Sequence, residues 1–104
     1  MNAMERLRSP KPMIAAQGAM MCVVAGRATA EEREAILCLS EFDDPEYRVA
    51  GRTIHDWLIA AMDVLGIKKC EEPEGSDAYD LLKTLTDPVW LEGMRIQFEE
   101  ESEP

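Results

Sequence analysis

The residues best equipped for chemistry in this 104-residue chain are one histidine and three cysteines. His55 stands beside Asp56 and Trp57, and Cys22, Cys38 and Cys70 lie far apart along the chain. As a general base, His55 needs a substrate proton within hydrogen-bond reach and a partner that fixes its tautomer. On a helix, neighbouring side chains point about 100° apart, so Asp56 is poorly placed for that role. A partly exposed first-turn histidine is the simpler expectation. Together with the cysteines it holds the atoms of a Cys3His zinc site, but the gaps are 16, 17 and 15 residues. Structural zinc normally takes paired ligands only two to four residues apart. No metal or cofactor site is therefore expected. Cys70 follows Lys68 and Lys69, which favour a thiolate, although an ordinary surface thiol after a helix accounts for it as well.

With 21 acidic side chains, carboxylate pairs arise by chance, and the chain has no glycine-rich phosphate loop, G-x-S-x-G or H-E-x-x-H. No catalytic residue is assigned, and an enzyme built on His55 or Cys70 ranks last among the functions considered. Met20, Met21, Met62 and Met94 suit an adaptable groove, though methionine on a helix more commonly packs into a core. Arg48 and Arg52, one helical turn apart across Gly51, suit either an acidic partner or plain solvation.

The elements that position these residues centre on residues 53–67, TIHDWLIAAMDVLGI. There Ile54, Trp57, Leu58, Ala61 and Leu65 share one helical face. Thr53 is the expected N-cap, and Gly66 followed by Ile67 the expected C-terminal stop. Residues 1–12 combine two prolines with charge and predict a flexible or loosely docked arm, with Met1 and Met4 both available as starts. Residues 13–25 read as helix or, through MMCVV, as a buried strand, with helix preferred and Gly26 as its end. Thr29 and Glu32 form a capping box. Asp44-Pro45 predicts a short helix through Tyr47 and Val49 that stops at Gly51. Val24-Ala25-Gly26-Arg27 and Val49-Ala50-Gly51-Arg52 are the same tetrapeptide, expected to make two similar helix-to-helix corners. Ser76 and Asp87-Pro88 start two further helices, with Gly93 inside the last where another backbone could approach. Residues 99–104 carry four glutamates and predict a solvated, disordered tail.

The expected fold is all-α, a compact bundle of about five short helices in one domain, with residues 13–98 as its body. No apolar run reaches the ~20 residues needed to span a bilayer, no signal peptide is read, and the cysteines suit reduced, mostly buried thiols of a cytoplasmic protein.

The net charge of −10 is concentrated at one end. Residues 71–104 carry Lys83 and Arg95 against eleven acids, a net of −9. Such a field repels phosphate backbones and anionic membranes and attracts a basic protein surface, although acidity for solubility alone is the plainer explanation. The leading expectation is a small protein-interaction module. Its acidic residues Glu71, Glu72, Glu74, Asp77 and Asp80 would dock on a basic surface of a partner, such as one that holds nucleic acid. Phage-encoded inhibitors and nucleic-acid mimics are similar in general character, a likeness of composition that transfers no residue. A homo-oligomeric accessory protein is the alternative. A DNA-binding helix-turn-helix, suggested by caps at Thr29, Pro45 and Thr53, ranks lower because His55 and Asp56 stand where a recognition helix needs Arg, Lys, Asn or Gln.

Overall fold

A computed structural model describes residues 2–42 and 44–102; Met1, Asp43, Glu103 and Pro104 lie outside the described residues. In order, its elements are α1 (Ala3–Leu7), α2 (Pro12–Ala25), α3 (Ala30–Leu39), β1 (Arg48–Val49), β2 (Arg52–Thr53), α4 (Ile54–Val64), α5 (Asp77–Leu85) and α6 (Pro88–Ser102). The fold is all-α apart from one two-stranded hairpin.

Helix α4 is the hub, packed against α2, α3 and α5. Thr53 accepts the Asp56 N–H at 3.2 Å to cap its start. Ile54, Leu58 and Ala61 are wholly buried, and Trp57 nearly so. At its end Ile67 N–H donates to Met62 O at 2.8 Å and Gly66 N–H to Asp63 O at 3.0 Å, the paired bonds of a Schellman stop. Residues 13–25 are helical in α2, which closes at Gly26 with φ 75°. The capping box at Thr29 and Glu32 starts α3 with both reciprocal bonds made.

Three expectations are corrected. Residues 3–7 of the supposed arm form α1, started by Asn2 Oδ1, which accepts the Glu5 N–H at 2.8 Å. Five residues show no usable period, yet Arg6 and Leu7 are buried. The missing side chain of Gly18 makes room for α1. A Cβ there would stand 2.8 Å from Ala3 O and from Leu7 N.

Residues 99–102 of the supposed tail are helical and form the last turn of α6, while its Glu103 and Pro104 lie outside the described residues. Arg95 reaches Glu99 at 2.6 Å, and Arg6 reaches Glu101 at 2.9 Å, so cations drawn from within and outside the helix hold its acids.

The third correction is the short helix from Pro45. Asp44 Oδ1 accepts the Glu46 N–H at 3.0 Å and Asp44 O the Tyr47 N–H at 3.1 Å, which closes a turn instead. The chain then pairs Arg48 with Thr53 and Val49 with Arg52, antiparallel. Ala50 at φ 53° and Gly51 at φ 80° make the two-residue turn, both left-handed as a type I′ hairpin turn requires. The repeated tetrapeptide therefore makes two unlike corners, a helix stop at Gly26 and a hairpin at Gly51. What the copies share is a glycine at positive φ.

Candidate functional site

The hairpin, α2, α4 and α6 enclose an open groove of about 350 Å³. Along α2, Met13, Ala16, Gln17 and Met20 line it, spaced i, i+3, i+4 and i+7 as one helical face must be. Along α6, Trp90, Met94, Phe98 and Glu101 do the same at i, i+4, i+8 and i+11. Trp57 enters from α4, and Val49 and Ala50 from the hairpin. Trp57 and Trp90 stack with centroids 6.2 Å apart and planes at 26°. Trp57 Nε1–H donates to Val49 O at 2.9 Å, which ties the hairpin to α4 and leaves the indole's apolar surface to the groove. Met13 is 40% and Val49 38% exposed.

One end of the groove is held by α1. The buried Arg6 donates through Nη1 to Gln17 Oε1 at 2.6 Å and through Nη2 to Glu101 Oε2 at 2.9 Å. Its guanidinium lies 5.6 Å from the Phe98 ring centroid, so one cation joins three groove-lining side chains from two helices.

A second, more polar cavity of about 330 Å³ lies beside α4, lined also by Ser40, Glu41, Lys68, Lys69, Glu71 and Glu72. His55 borders it and is half-buried. Its Nδ1 lies 2.8 Å from Ser40 O, and since a carbonyl only accepts, Nδ1 carries the proton in this contact. His55 thereby satisfies an orphan carbonyl at the end of α3 and braces α3 against α4.

The five acidic residues singled out in the sequence are dispersed. Glu71 and Glu72 border the His55 cavity together with Lys68 and Lys69. Glu74 accepts from the Tyr79 hydroxyl at 3.3 Å, and its charge pushes that phenol's pKa up. Asp77 is exposed in the first turn of α5, while half-buried Asp80 lies 3.9 Å from Arg52. Of the two arginines, Arg48 donates back to Pro45 O at 3.0 Å and Gly51 O at 3.2 Å, whereas Arg52 has the long contact with Asp80 and a buried Nε with no hydrogen-bond partner among the described residues.

The cysteines differ from one another: Cys22 is buried, Cys38 exposed and Cys70 half-buried, so mostly buried thiols are not what is found. Burial first, and then the Glu32 carboxylate, push the Cys22 pKa up to about 12. Among the described residues no three His, Cys, Asp or Glu side chains gather into a metal site. No family model matches this chain, and no curated protein or solved structure matches it significantly.

Of the methionines considered from sequence, Met20 and Met94 line the groove and Met62 the His55 cavity, while Met21 packs against the core. Met13, Trp90 and the hairpin's share of the groove were not legible. Trp90 and Phe98 lie on a helical face that reads as core; Phe98 is buried as that pattern predicts, and the gap between α2 and α6 leaves Trp90 half-buried at the groove.

Proposed function

We propose that this protein is a small acidic interaction module that docks on a partner protein with a basic surface. What supports it is the coincidence of an open aromatic and methionine-lined groove with the most acidic part of the chain. Helix α6 supplies Trp90, Met94 and Phe98 to the groove and also carries Glu92, Glu99, Glu100 and Glu101. Apolar grooves with aromatic anchors are the usual seats of binding energy, and the surrounding charge sets encounter rate and partner choice. A partner whose basic surface otherwise holds DNA or RNA would be blocked by such docking.

The test begins with partner capture and continues with purified components. Binding to the identified partner should weaken at least ~10-fold when salt is raised severalfold. Lysine at Glu71, Glu72, Glu74, Asp77 and Asp80 should slow association. Affinity indifferent to both salt and charge reversal would remove the proposal.

A second reading, homo-oligomerisation, draws on a different face of α6. Val89 is 79% and Ile96 44% exposed, and a Cβ on Gly93 between them would meet nothing within 4 Å. A sedimentation experiment that finds only monomer at micromolar concentration disposes of it.

A further inference from the structure

We infer that the groove between α2 and α6 receives one short cationic amphipathic helix of the partner, an inference that rests on the docking role proposed above. The dimensions suit a helix. Met13 to Met20 on α2 spans about 10 Å and Trp90 to Glu101 on α6 about 16 Å, at roughly 1.5 Å per residue, so the groove is two to three helical turns long. Its volume of about 350 Å³ takes inserted side chains rather than a backbone, so the helix lies across the mouth and inserts apolar residues at i, i+3 or i+4, and i+7. Strand addition is disfavoured because β1 has two residues and Val49 O already accepts from Trp57. Methionine and tryptophan suit the seat, since thioethers adapt to irregular shapes and contact aromatic rings favourably.

Charge selects the occupant. Helix α2 contains no charged residue, whereas α6 has Glu92, Glu99, Glu100 and Glu101 against Arg95, a net of −3. The acids crowd the C-terminal end of α6, where the helix dipole is itself negative. Arg6 and Arg48 turn to acceptors of their own chain. A second copy would bring another −10 to this face, and a fatty acid would bring a carboxylate. A lysine- or arginine-rich helix complements it, with its cations gathered towards the exposed Glu100, since Glu99 and Glu101 already accept from Arg95 and Arg6 of this chain.

Three synthetic 15-residue peptides test this against the full chain: a Leu/Lys helix with leucines at i, i+3, i+4 and i+7, its scrambled isomer, and the Leu/Glu counterpart. Tryptophan fluorescence reports on Trp57 and Trp90, and calorimetry supplies the affinity. The Leu/Lys helix is expected to bind, to shift the emission, and to weaken at least ~10-fold in Trp90→Ala. A Met13→Gln/Met94→Gln variant, which keeps the charge and alters exposed or half-buried sites, guards against misfolding of Trp90→Ala and should weaken binding likewise. Circular dichroism checks both.

Equal binding of the scrambled peptide, unaffected by either variant, overturns the groove seat and leaves charge-driven docking standing. Equal binding of the Leu/Glu helix overturns the charge selection. Concentration-dependent dimerisation that fills the groove without peptide overturns the helix in favour of a second copy. If no peptide binds, the inference fails, and the salt dependence of the captured partner then decides the broader proposal separately.

Discussion

Gly18 and Gly93 are both helical glycines, and a methyl group would meet opposite surroundings at the two. At Gly18 it would stand 2.8 Å from two backbone atoms of α1 and 2.9 Å from Leu7 Cγ. Overpacking of that kind costs about 1–3 kcal/mol and outweighs the ~1 kcal/mol that alanine gains in a helix. Gly18→Ala should therefore lower the unfolding free energy, or undock α1 and raise hydrogen exchange at residues 3–7. At Gly93 nothing lies within 4 Å, so Gly93→Ala should stabilise by about 1 kcal/mol in urea unfolding. Cys22 supplies a pH effect at the same scale. Its thiol ionises at 9.0 ordinarily and at about 12 in the fold. The unfolded chain therefore loses this proton first, and the thiol's contribution, complete below pH 9, is lost as pH rises towards 12. The stability difference between the native protein and Cys22→Ala should be flat below pH 9 and shrink above it. Iodoacetamide at pH 8 should label Cys38 and spare Cys22.

At the scale of elements, the hairpin is where local chemistry and position disagree. Ala50 holds φ 53°, a conformation that costs a residue with a Cβ about 1 kcal/mol or more. Ala50→Asn or Ala50→Gly should raise the thermal midpoint, because both tolerate the left-handed turn; an unchanged or lower midpoint would contradict that account. The same turn explains what the sequence could not reveal. Residues 53–67 announce α4 because cap, face and stop agree, and Thr29 and Glu32 announce α3 in the same way. Pro45 after Asp44 announces a helix just as clearly, yet two strands of two residues have no period to oppose it. The register is decided instead by Trp57 reaching Val49 O and by Ile54 N–H donating to Tyr47 O at 3.0 Å. The groove was hidden for a related reason. Met13, Met20, Trp90 and Phe98 are all patterned as core residues; Met20 and Phe98 are buried accordingly, and the exposure of Met13 and Trp90 depends on how far α6 stands from α2.

At the scale of the whole molecule, a net charge of −10 is an internal strain as well as an attractant, since like charges repel in the compact state. The fold does not use its acids uniformly. Glu71, Glu72 and Glu100 are exposed, and their mutual repulsion is screened within roughly 8 Å at physiological salt. Glu101 instead pairs with a buried guanidinium and anchors α6 to α1. Neutralising the two classes should have opposite effects. Glutamine at Glu71, Glu72 and Glu100 together should leave stability unchanged or slightly raised at low salt, with the gain vanishing at high salt. Glu101→Gln should cost on the order of 1–2 kcal/mol, discounted for the carboxylate's partial exposure, and should persist in salt because Arg6 remains buried without its charge partner. Urea unfolding at two ionic strengths separates these outcomes. If Glu101→Gln behaves like the exposed set, α6 does not depend on α1 for its position. If the triple variant alone is strongly destabilised, the acidic surface holds the fold together, and its availability to a basic partner would have to be reconsidered.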